Sequence, residues 1–60
     1  MDKKQIKNLM DKLRRPIHIS YISKYILRKN LEETKKELDV LILEGYVKES
    51  KISDGYYVAV

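Results

Sequence analysis

Leu38-Asp39-Val40-Leu41-Ile42-Leu43-Glu44-Gly45-Tyr46-Val47 decides the fold. Leu38 and Leu41 stand three apart on one helical face, and Ile42 widens that face. A glycine follows where a helix can stop in a left-handed cap, and an apolar pair then opens a strand. Upstream, Asn30 and Glu33 have capping-box spacing, which predicts a helix from about Leu31 to Glu44 with Leu31, Thr34, Leu38, Leu41 and Ile42 along its inner stripe. Downstream, Tyr46 to about Ser50 and Tyr56 to Val60 read as antiparallel strands around the loop Lys51-Ile52-Ser53-Asp54-Gly55. Because strand side chains alternate, either Tyr56, Val58 and Val60 face the core or Tyr57 and Ala59 do; both registers remain open.

Two more helices precede this unit. Asp2, with Gln5 three residues on, caps a helix of about residues 3–14 whose apolar face is Ile6, Leu9, Met10 and Leu13, and Pro16 stops it. Ile17-His18-Ile19 alternates over too short a run for an independent strand, but it suits a third, edge strand beside the hairpin. Ser20 is the expected cap of a helix of about residues 21–28, with Ile22, Tyr25 and Ile26 inward and Lys24 and Arg28 outward. Lys29-Asn30 makes the turn into the last helix. The expected class is mainly α with a small β-hairpin (α+β), as a single domain over residues 1–60.

Composition narrows what such a domain can do. A chain of 60 residues buries only about 60% of the surface it exposes when unfolded, which leaves no second core for a separate catalytic domain. Its 43% hydrophobic and 37% charged residues suit a folded domain. Without cysteine it forms neither a disulfide framework nor a thiolate zinc site, which favours a cytoplasmic setting. No apolar run approaches the roughly 20 residues of a membrane span, and the N-terminus lacks a signal-peptide core, so no membrane partner is expected. His18 is the sole histidine, and Gly45 and Gly55 are too few for a glycine-rich phosphate loop. Neither catalysis nor a metal or other cofactor is expected.

The net charge of +4 is unevenly spread. Up to Asn30 the acids are only Asp2 and Asp11, against Lys3, Lys4, Lys7, Lys12, Arg14, Arg15, Lys24, Arg28 and Lys29, a local balance of +7. The last helix reverses the sign, with Glu32, Glu33, Glu37, Asp39 and Glu44 against Lys35 and Lys36. A polyanion would approach such a molecule from one side.

The order of three helices and a hairpin, with Thr34-x-x-x-Leu38-x-x-Leu41-x-x-x-Gly45-Tyr46-Val47 at its centre, resembles the winged helix-turn-helix superfamily over essentially the whole chain. In that family the corresponding apolar residues and glycine fix a recognition helix against the wing; Thr34 departs from the larger aliphatic usual at its position. The resemblance implies a DNA-binding protein whose last helix enters the major groove while the wing touches an adjacent groove or the backbone. It carries a fold more strongly than any one function.

On that reading Lys24, Arg28, Lys29, Asn30, Lys35, Lys36, Lys48, Lys51 and Tyr56 are the expected nucleic-acid contacts, with Ser53 as a further wing candidate. Lys3, Lys4, Lys7, Lys12, Arg14 and Arg15 make a secondary basic face. Glu32 and Glu33 fit capping and dipole complementation better than base recognition. Among the five tyrosines, Tyr25 and Tyr46 are expected to pack with their hydroxyls at the rim, while Tyr21 and one of Tyr56 or Tyr57 stay exposed and able to stack on unpaired bases. The leading expectation is a transcriptional regulator or DNA-processing accessory factor, dimeric on a duplex operator through the first helix with Met10 or Leu13 partly shared. Two alternatives are a single-stranded DNA-binding accessory of a replication protein, and a protein-protein adaptor docked through the acidic last helix.

Overall fold

The computed structural model describes residues 2–60; Met1, the first residue of the expected domain, lies outside them. Helix α1, Lys3–Lys12, begins at a complete capping box, in which the Asp2 carboxylate accepts from the Gln5 N–H at 2.8 Å and the Gln5 side chain accepts from the Asp2 N–H. It ends two residues earlier than expected. Leu13 is its C-terminal cap, its N–H shared between the carbonyls of Leu9 and Met10, and the extended backbone favoured before Pro16 prevents further helix.

Strand β1, Ile17–His18, is the expected edge strand. The chain enters the next helix directly from it. Ile19–Tyr21 is one α-helical turn that continues as a π-helical stretch, Ile22–Ile26, and together they form α2. Its cap is His18 and not Ser20: the His18 Nδ1 accepts from the Ser20 N–H at 3.2 Å. The strand sets this boundary, because β1 pairing ends at His18 and the Ile19 N–H then donates to Gly55 O at 2.8 Å. The π turn, closed by Leu27 N–H on Ile22 O, widens the helix and changes its phase. Ile22 is buried and Ile26 half-buried as expected, whereas Tyr25, expected inward, is 56% exposed.

Helix α3, Leu31–Leu43, is capped by the Asn30 side chain accepting from the Glu33 N–H at 2.8 Å. Thr34, Leu38 and Leu41 are buried along its inner stripe, and Ile42 packs beside them. Leu31, expected on that stripe, is 55% exposed, because it is the first helical residue and no packed element covers it. Gly45 at φ 86° donates its N–H to Ile42 O, and Tyr46 N–H donates to Leu41 O, which completes a Schellman cap.

Strands β2, Val47–Glu49, and β3, Tyr56–Ala59, complete a three-stranded antiparallel sheet of order β1-β3-β2. Ile17 and Glu49 pair with Tyr57, His18 with Tyr56, Lys48 with Val58 and Val47 with Ala59. The open register is thereby decided: Tyr57 is buried and Ala59 packs against the core. Leu9, Leu13, Ile22, Leu38, Leu41, Val47 and Tyr57 form that core, so helices and sheet meet in an α+β arrangement. Leu13 is wholly enclosed and cannot be shared with a second subunit; Met10 remains partly exposed. Tyr46, expected to pack, is 38% exposed at the rim, where its carbonyl accepts the Val60 N–H.

Candidate nucleic-acid interface

The link between α2 and α3 is built around one carbonyl. Lys29 O accepts the Ser23 hydroxyl at 2.6 Å and lies 3.4 Å from the Thr34 hydroxyl, while Lys29 N–H donates to Ser23 O at 3.0 Å. Ser23 and Thr34 are both buried, so the polar atoms at this corner are satisfied from within it. The Thr34 hydroxyl, like that of Ser23, has this carbonyl to meet. Closing the corner requires the backbone to reverse at Arg28, whose φ of 55° is the only left-handed value at a non-glycine residue among the described residues. Its side chain is exposed.

Lys29 was expected to meet phosphate beside Arg28; in the structure it also has a carboxylate partner. Its ammonium lies 2.5 Å from Glu37 Oε1, eight residues along the chain. The hydrogen bond to Glu37 is the main cause of a pKa above the ordinary lysine value, with partial desolvation opposing it and the charges of Glu37 and Glu33 adding to it. Lys29 thus joins the α2–α3 turn to α3 through an exposed ion pair. Asn30 is similarly occupied, its side-chain oxygen satisfying the α3 N-terminus. Glu32 and Glu33 stand in the first turn of that helix, as dipole complementation requires.

The other expected contacts are on the surface. Lys24 lies on α2 with its ammonium 5.4 Å from the centre of the Tyr25 ring. Lys35 and Lys36 are exposed on α3, where Lys36 borders a groove shared with Ile6, Val40 and Glu44. Lys48 and Lys51 are exposed on and beside β2, and Ser53 in the loop that follows. Tyr56 is not free; its ring meets His18 edge to face at 5.1 Å and is half-buried.

The basic residues of α1 divide. Lys3 and Lys7 flank a shallow groove with Ile6, Met10, Asp11 and Tyr46, and Arg14 makes a loose exposed contact of 3.8 Å with Asp11. Arg15, which sequence spacing grouped with α1, borders a cleft with Pro16, Ile52, Ser53 and Tyr56, and so belongs with the wing loop. Pro16 also borders the neighbouring cleft lined by Lys48 and Lys51. Only Arg14 and Lys29 pair with a carboxylate among the described residues.

His18 makes a structural link that sequence reasoning passed over. Its ring lies against Tyr56 and Gly55 while its Nδ1 caps α2, with the Ser20 hydroxyl 2.8 Å away, so one side chain couples the hairpin turn to the start of α2. The available signal was its place between two isoleucines just before a helix. No helix of the described residues is long and apolar enough to cross a membrane. Comparison with protein-family models, curated proteins and solved structures finds no match to this chain.

Proposed function

We propose that this chain is a winged-helix protein that binds duplex DNA, as a transcriptional regulator or a DNA-processing accessory factor, without catalysis of its own. The observation that carries this reading is the order helix, short strand, helix, tight turn, helix and hairpin, with β1 joined to β3. That order is the one in which a second and third helix and a wing converge on a duplex. Exposed cations on all three parts support it: Lys24 and Arg28 on α2 and its turn, Lys35 and Lys36 on α3, and Lys48 and Lys51 on the wing with Arg15 beside them. A cytoplasmic setting accords with the reading.

Titration of labelled duplexes at two salt concentrations tests it. Each phosphate contact removed by an Arg28→Ala or Lys35→Ala change should lower the salt slope of log affinity by about 0.9. The double change Lys29→Met with Glu37→Gln should leave that slope unchanged, because it removes a pair whose charges already cancel. Wild-type protein that binds no duplex at low salt refutes the proposal. One observation favours an adaptor instead: Val40 and Leu43 stand exposed on α3 among Glu32, Asp39 and Glu44. Absence of binding to any nucleic acid would select that second reading.

A further inference from the structure

Helix α2 carries an aromatic pair that duplex binding leaves unused. Tyr21 and Tyr25 are 50% and 56% exposed, and their rings contact each other with centres 4.8 Å apart and planes inclined by 42°. Neither hydroxyl nor ring serves the core, whose one aromatic member is Tyr57. Residues four apart on a helix share a face, which puts Tyr25 beside Tyr21, while Ile22 between them in sequence stays buried. An ordinary solvated helix face would hold charged residues here. The pair instead combines flat rings with cations. Lys24 stands over Tyr25, Arg28 follows at the end of the helix, and no acidic residue occurs between Asp11 and Glu32.

We infer that Tyr21 and Tyr25 form a stacking platform for unpaired bases of a single-stranded nucleic acid, with Lys24 and Arg28 neutralising the phosphates beside it. Every base has a face that can stack on an aromatic ring, so the platform is tolerant of sequence, and the local positive charge complements the strand. The inference rests on the nucleic-acid reading above but adds a ligand that a duplex cannot supply, because paired bases keep their faces covered.

The test uses the whole chain with labelled oligothymidylate of about 12 nucleotides, within the span a small single-strand-binding module covers. A duplex and an oligouridylate of equal length run in parallel. The variant Tyr21→Leu with Tyr25→Leu keeps apolar bulk and removes the rings; Tyr21→Phe with Tyr25→Phe keeps the rings. The leucine pair should weaken single-strand binding by about five- to hundredfold, from the stacking contribution of one base. It should leave duplex affinity and the melting temperature unchanged, and the phenylalanine pair should bind like wild type. Quenching of tyrosine fluorescence by oligothymidylate should be seen in the wild-type chain and lost in both pairs, since neither keeps the two tyrosines. The stronger of the two single strands identifies DNA or RNA as the source. Should the leucine pair fold poorly, Tyr25→Leu alone serves the same comparison. Wild-type single-strand affinity in the leucine variants overturns the platform while leaving duplex recognition intact, as does an equal loss on duplex and single strand. Failure of the wild-type chain to bind either form overturns both readings together.

Discussion

Replacing Arg28 with glycine should stabilise the fold and, on the proposed DNA-binding reading, weaken the contact with the duplex. Arg28 adopts φ 55°, a conformation that brings the Cβ of an L-residue too near its own carbonyl oxygen. This costs roughly 1–2 kcal/mol, and glycine avoids it. Glycine loses more backbone freedom on folding, which offsets about 0.5–1 kcal/mol of that relief. The net gain is about 0.5–1 kcal/mol, and 1 kcal/mol moves the midpoint of a domain this small by about 4–8 °C. The corner itself should survive, since Ser23, Lys29 and Thr34 hold it through bonds that do not involve the Arg28 side chain. The assay pairs thermal melts with DNA titration: the midpoint should rise while affinity falls and the salt slope drops by about 0.9, one lost phosphate contact. A residue kept in a strained conformation at the expense of stability is the pattern expected where its side chain serves binding. A fall in midpoint would show that the arginine side chain braces the turn, and unchanged affinity with unchanged slope would remove it from the interface; either result refutes the reasoning.

Leu38→Ala should cost on the order of 2–5 kcal/mol, enough to unfold much of so small a domain, because Leu38 is fully enclosed; a melting curve like wild type would take it out of the core. Gly55→Ala should be more harmful than Gly45→Ala although both have positive φ, because a Cβ at Gly55 would lie 2.9 Å from the His18 Nε2 whereas one at Gly45 meets nothing within 4 Å. Equal losses in denaturant melts would contradict this, and removing the ring with His18→Ala should narrow the gap. Stability should also fall in alkali: burial, aided by the charges of Glu49 and Asp39, raises the Tyr57 pKa, and the hydrogen bond to Glu37 raises that of Lys29. For both groups the folded state holds its proton more tightly than the unfolded chain, so their contribution is full below about pH 10 and is lost as pH rises through the folded-state values. Tyr57→Phe should flatten part of that decline in pH-dependent melts, and parallel curves for variant and wild type would show that Tyr57 does not titrate differently on folding.

What could be read in the chain was local. The Asp2–Gln5 capping box, the Asn30 cap, the leucine spacing of α3 and the glycine stop at Gly45 each depend on residues within a turn of one another, and each stands where its spacing puts it. Even β1 was legible as a candidate edge, from the short alternation of Ile17-His18-Ile19 ahead of a hairpin it could join. Packing between distant segments decided the rest. The inward face of β3 follows from pairing with β1 and β2 on both sides, because alternation alone leaves two equivalent registers. The corner that Ser23 and Lys29 close between α2 and α3 likewise joins residues six apart, beyond any single helical turn. For the candidate interface, sequence could mark the cations but not their partners: Lys29 is neutralised by Glu37 across the helix corner, and Arg15 leaves the α1 face for the wing loop. Spacing within a helix or strand is a property of the chain, whereas the neutralisation of a charge depends on which other segment folding brings within a few ångströms of it.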